Sequence, residues 1–124
     1  MSRTALALVA TLAASLVVAG AALSSSESIP TLKGTVGPGF SIRLTRNGAK
    51  VKSLHPGRYR FLINDRGSIH NFVLEREHPG HFEKTLTGIR FTGVKTFVIR
   101  LTAGEWKFYC APHESVMFGH IKVA

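Results

Sequence analysis

The sequence predicts an all-β domain, built as a sandwich or a barrel. Short runs of β-forming residues follow one another from Thr31 onward, punctuated by Gly, Pro and Asn. Several of those runs alternate apolar and polar residues with a period of two, and no stretch between Thr31 and Ala124 has a helical period. At 124 residues and 44% hydrophobic content the chain holds material for one domain, with no internal repeat.

The elements follow in order. Met1-Ser2-Arg3 is a positive start, Ala5 to Val18 is uncharged and rich in Ala, Leu and Val, and Ala19-Gly20-Ala21 offers the small residues a signal peptidase accepts. Residues 1–21 are therefore expected to be a secretory signal. The alternative is a retained membrane anchor, because the uncharged run from Thr4 to Ser26 is long enough to span a bilayer. A lipid anchor through a cysteine is excluded, since the sole cysteine is Cys110. Residues 22–30, containing Ser24-Ser25-Ser26-Glu27-Ser28, read as a polar linker, and residues 31–124 as the folded domain.

Within that domain the expected strands are Leu32 to Val36, Ser41 to Thr45, Arg58 to Asn64, His70 to Glu75, Thr96 to Leu101, Glu105 to Tyr109 and Phe118 to Val123. Phe97, Ile99 and Leu101 share one face, opposite Thr96, Val98 and Arg100; Tyr59, Phe61 and Ile63 likewise oppose Arg58, Arg60 and Leu62. Such alternation fits sheets with one buried and one wet face. Turns are placed at Gly37-Pro38-Gly39, Asn47-Gly48, His55-Pro56-Gly57, Asp65-Arg66-Gly67 and Ala103-Gly104. Asn47-Gly48 suits a two-residue hairpin, whose central positions both need positive φ. Arg76 to Gly93 reads as a long irregular piece wrapping an edge, with room for one helical turn.

The formal net charge is +9, and loss of Arg3 with the signal leaves +8. That excess favours an acidic partner, an anionic membrane or a cell-wall polyanion. Nucleic acid is not expected, because the basic residues are scattered without a dense run and the chain reads as exported. They form either a solvated surface or a docking face. One cysteine allows no internal disulfide, so in an exported protein its thiol must be buried, paired with another chain or held by a metal.

Phe108-Tyr109-Cys110-Ala111-Pro112-His113-Glu114-Ser115-Val116-Met117 favours the metal. It places one thiolate, one imidazole and one thioether on a short loop after an aromatic-rich strand. Soft sulfur ligands with imidazole suit copper, and a pair of histidines, a cysteine and a weak axial methionine form the blue-copper electron-transfer arrangement. A second histidine must come from elsewhere among His55, His70, His78, His81 and His120. His70 fits best, because it opens the apolar strand Asn71-Phe72-Val73-Leu74, where an unpaired imidazole is costly. His55 reads as a turn residue, and His78 and His81 as solvated loop residues.

Three features together resemble the cupredoxins, the plastocyanin and azurin family of small blue-copper proteins, across Thr31 to Ala124. They are the pair His70-Asn71, the Gly-x-Trp-x-Phe-Tyr-Cys strand from Gly104 to Cys110, and the continuation through Pro112-His113 to Met117-x-Gly and a final strand. The resemblance implies a Greek-key β-sandwich of about seven to eight strands. It implies His70, Cys110 and His113 as equatorial ligands of one mononuclear type 1 copper ion, with Met117 axial. His120 is the rival donor for the axial position, although its alternation with Phe118 and Lys122 places it on a strand face. Asn71 would support the ligands by donating a hydrogen bond from its backbone amide to the Cys110 sulfur and by a side-chain tie between the two ligand loops. Pro112 would stiffen the loop and remove a backbone donor near that sulfur. The His113 ring edge would reach the surface through an apolar patch, for which Pro38, Pro112 and Phe118 are candidates.

The expected protein is an exported, monomeric, non-enzymatic carrier of single electrons between redox partners. It would be periplasmic, cell-surface or extracellular, with an acidic or anionic redox partner and a possible association with a membrane or cell wall. The alternative is a copper-binding or delivery protein without a redox role. An enzymatic Cys110/His113 pair lacks an identifiable orienting acid or oxyanion site.

Overall fold

The computed structural model describes residues 15, 17, 19–23 and 26–124. Most of the expected signal over residues 1–21 lies outside the described residues. Among those described, no helix is long and apolar enough to cross a membrane.

Ten strands and one short 3₁₀ turn make up the domain: β1 (Thr31–Val36), β2 (Ile42–Arg46), β3 (Ala49–Lys50), β4 (Ser53–Leu54), β5 (Gly57–Asp65), β6 (Phe72–His78), β7 (Phe82–Thr87), β8 (Gly93–Leu101), β9 (Gly104–Tyr109), the turn Ala111–His113, and β10 (Phe118–Val123). They form two five-stranded sheets, ordered β3-β2-β1-β5-β8 and β4-β10-β9-β6-β7. The chain passes from the first sheet at β5 to the second at β6 and β7, returns at β8, and ends in the second at β9 and β10. β1 lies parallel to β5, and β10 parallel to β4, although they are far apart in sequence. This is the all-β sandwich with crossing connections that the sequence predicts. The count of seven to eight becomes eight strands of five or more residues plus the two-residue β3 and β4.

The predicted alternation is what welds the sheets. Leu32, Leu44, Phe61, Ile63 and Leu101 from the first sheet are fully buried, and so are Phe72, Leu74 and Ile121 from the second. Phe72 and Phe108 stack with ring centroids 5.7 Å apart across neighbouring strands of the second sheet. Trp106 lies in the same core, its Nε1 donating to the Thr102 carbonyl at 2.8 Å, so the indole polar end is satisfied. The Asn47-Gly48 hairpin forms as predicted, with φ of 50° and 80° and Arg46 paired to Ala49.

Two sequence expectations are corrected. The segment Arg76 to Gly93 is a hairpin: β6 continues to His78, and β7 pairs back along it from Arg76↔Phe82 to Phe72↔Thr87. β7 is an edge strand with four of its six residues half-buried or exposed, so its composition lacks a clean alternation. The helical turn occurs instead at Ala111–His113, with Pro112 in its first turn. His70 does not open a strand either. It closes a turn by donating its amide to the Gly67 carbonyl at 3.1 Å, and β6 starts two residues later, where the Phe72 amide donates to Thr87 Oγ1 at 2.9 Å.

Candidate metal centre

Cys110 follows the last residue of β9, and the chain then turns back on itself to enter β10. The Cys110 amide donates to the Met117 carbonyl at 3.0 Å and extends the β9–β10 pairing across the mouth of the loop. Inside the loop the amides of His113 and Met117 donate to the carbonyls of Cys110 and His113 at 3.1 and 2.8 Å. With the Val116 amide donating to the His113 carbonyl at 3.1 Å, the excursion from Cys110 to Met117 is closed by four backbone bonds and stiffened by Pro112.

The other contributor is the turn between β5 and β6. Asp65 Oδ1 accepts from the Gly67 amide at 3.2 Å, and the turn then delivers His70 into the sandwich mouth. Gly67 faces the imidazole closely: a Cβ there would lie 2.6 Å from His70 Cδ2. Asn71 ties the two segments together, its Oδ1 accepting from the Ala111 amide at 2.7 Å. Asn71 is itself buried, so this bond satisfies a side-chain oxygen that water hardly reaches while anchoring the exposed Ala111.

These supports bring three side chains together. His70 Nδ1 and His113 Nδ1 are 3.1 Å apart, and each is 3.6 Å from Cys110 Sγ. Cys110 is fully buried, His70 is 2% exposed and His113 is half-buried. A triangle with those three sides has its centre roughly 2.0 Å from every corner, close to the bond lengths of about 2.0–2.1 Å for imidazole nitrogen and about 2.3 Å for thiolate on a first-row divalent ion. Both imidazoles turn the same nitrogen inward. The donor set and its spacing fit copper.

Met117 is fully buried beside Cys110 in the hydrophobic core. His120 stands exposed on β10 with Nδ1 3.3 Å from Glu77 Oε1, turned away from the cluster. His55, His78 and His81 are also exposed. Pro112 is exposed at the rim of the loop.

Phe40 is the site residue that sequence reasoning missed. Its ring stands edge-on to both imidazoles, with centroids 5.6 Å from His70 and 4.8 Å from His113, while the residue remains 64% exposed. The available signal was an aromatic following the Gly37-Pro38-Gly39 turn, a position where a core residue is out of place. With Ile69, Pro112 and Val116, also exposed and adjacent in sequence to His70, His113 and Met117, it makes the cluster's surroundings apolar. Of the expected patch residues, Pro38 is exposed in the Phe40 turn, whereas Phe118 packs toward His120 and Lys107.

Next to the cluster, Tyr109 donates its hydroxyl to Glu83 Oε2 at 3.1 Å. Burial, reinforced by that carboxylate, pushes its phenol well above the ordinary value of 10.0. The Lys107 ammonium binds Glu114 Oε1 at 2.6 Å, and that bond raises its pKa in turn.

Comparison with known proteins agrees with the geometry. Residues 46–124 match the family model described as copper binding proteins, plastocyanin/azurin family. No curated protein sequence matches the chain. Among solved structures, the copper protein rusticyanin is similar at a TM-score of 0.56 and 20% identity, over 76% of each chain. Reduced rusticyanin gives 0.55 at 19% identity, over 76% of this chain and 78% of that one, and its NMR structure gives 0.52 at 20% identity over 76% of each. At those identities the likeness speaks for the fold. Taken with the family match over most of the folded domain and the cluster of His70, Cys110 and His113, it establishes that the chain belongs to the plastocyanin/azurin family of copper binding proteins, with one type 1 copper site.

Proposed function

We propose that this protein is an exported carrier of single electrons, working between redox partners through the copper site and catalysing no reaction of its own. The observation that carries the reading is the asymmetry of the ligand cluster: Cys110 and His70 are sealed from water, while His113 is half-buried beside an apolar surface. A bound copper ion supplies a one-electron couple. The residues of the chain determine whether that couple is fast and reversible.

The Cys110 thiolate cancels one positive charge, and two neutral imidazoles add none, so the net charge of the loaded pocket stays small enough for an apolar surrounding. The backbone bonds around the loop and the Asn71 tie hold the ligand atoms in place independently of oxidation state, and little has to move when an electron arrives. Met117 is proposed as the weak axial ligand, supported by its burial beside Cys110. The exposed apolar groups Phe40, Ile69, Pro112 and Val116 give a partner a desolvated contact next to His113. Cationic side chains beyond that contact favour an acidic partner.

Voltammetry of the copper-loaded chain distinguishes this reading from copper delivery. A reversible one-electron wave, with rapid electron exchange to a small redox protein and retention of copper in the presence of a chelator, is expected. Rapid copper loss to the chelator without electron exchange would establish delivery instead.

A further inference from the structure

The outer face of the first sheet bears a charge pattern that the copper site does not use. Six cations project from it, all exposed: Lys33 on β1, Arg43 on β2, Lys50 on β3, Arg58 and Arg60 on β5, and Arg100 on β8. The registers fix their spread. Lys33 sits between Thr45 and Leu62, Arg43 lies beside Thr35, Arg60 stands between Thr31 and Val98, and Arg58 directly faces Arg100. Like charges facing each other across a ladder are destabilising, and among the described residues no ion pair offsets them, although Glu27 lines the same surface hollow as Arg58 and Arg100. Of the seven acidic residues in the chain, Glu75, Glu77, Glu83, Glu105 and Glu114 lie on the second sheet or its adjoining loop, Asp65 is buried, and Glu27 precedes β1. Both ion pairs among the described residues, Lys107–Glu114 and His120–Glu77, are also on the second sheet.

We infer that this face docks on an anionic lipid bilayer. The five strands span roughly 19 Å at the usual spacing, and the cations are dispersed over that width rather than gathered around a pocket. Flexible Lys and Arg side chains spread over a sheet suit a field of mobile headgroups, each cation near such a surface contributing on its own. Val98, exposed beside Arg60, and Val94 add small apolar groups that tolerate contact with the interfacial region. Docking in this orientation lays the strands along the membrane. The copper site lies at the strand ends marked by Val36 and Asp65, where Gly37 packs against His70, so it stays at the side of the docked molecule and open to a partner. The inference is independent of the redox reading, because binding through this face needs no copper.

The test is co-sedimentation of the full chain with phosphatidylcholine vesicles, either alone or with about one-third phosphatidylglycerol. Preferential binding to the anionic vesicles is expected, weakening as salt shortens the screening length. Arg60→Gln with Arg100→Gln should lower that binding roughly 25-fold, while Lys84→Gln with Lys122→Gln on the second sheet should lower it less than twofold. The two sets of variants change charge alike and share the same N-terminal segment, so their difference isolates the face. Visible absorption of each variant after copper loading serves as a check of folding. Equal losses from both sets, no preference for anionic vesicles, or a soluble acidic polypeptide binding more tightly than vesicles through the same arginines would overturn the inference.

Discussion

Cys110 is both a core residue and a member of the donor cluster, since it is fully buried and sits at 3.6 Å from each imidazole nitrogen. Cys110→Ser is expected to abolish the thiolate-to-copper colour while leaving the fold intact, checked by visible absorption and far-ultraviolet circular dichroism. Met117→Leu keeps the volume of the core and removes only the thioether, so it should leave a coloured site with an altered potential; an unchanged spectrum and potential would remove Met117 from the ligand set. Asn71→Ala leaves the Ala111 amide without its acceptor. It should cost about 0.5–1.5 kcal/mol in denaturant unfolding and weaken copper binding by roughly 10–100-fold in a competition titration. The spacing of Cys110, His113 and Met117 was readable because one loop carries all three, and His70 because an apolar strand follows it. Phe40 and Gly67 were not, since their proximity to the imidazoles arises from two turns that meet only in the folded chain.

At the scale of elements, the strands that face the core on one side were legible, and the edge hairpin β6–β7 was not. The eight residues from Pro79 to Leu86 show no clean alternation because β7 is bordered by another strand on one side alone, leaving few positions that must be apolar. The ladder between β6 and β9 holds a register shift between Arg76 and His78, and Gly104 fits beside it with φ of 149°. A Cβ at Gly104 would collide with the His78 carbonyl oxygen and with Pro79, both with little freedom to retreat. Gly104→Ala should therefore destabilise by more than about 2 kcal/mol in equilibrium unfolding. Gly88→Ala, where nothing lies within 4 Å of the added atom, should stay within about 0.5 kcal/mol. The copper loop depends on that register, because β9 carries Cys110 at its end.

Across the whole molecule, the net charge was legible in the sequence while its distribution was not. Arg58 and Arg100 are 42 positions apart and become neighbours only when β8 pairs with β5. The titration of Tyr109 also acts on the molecule as a whole. Its phenol ionises above the ordinary value of 10.0 in the folded state, so the associated stability is fully present below pH 10. As pH rises past 10 the unfolded chain loses this proton first, and stability falls by up to about 1.4 kcal/mol per pH unit until the folded phenol also ionises. Tyr109→Phe should flatten that alkaline decline, measured by urea unfolding from pH 9 to 11. The most direct test of the copper assignment is the visible absorption spectrum of the oxidised, copper-loaded protein. An intense thiolate-to-copper charge-transfer band is expected from Cys110 held between His70 and His113; a colourless oxidised sample that still binds one copper ion would contradict it.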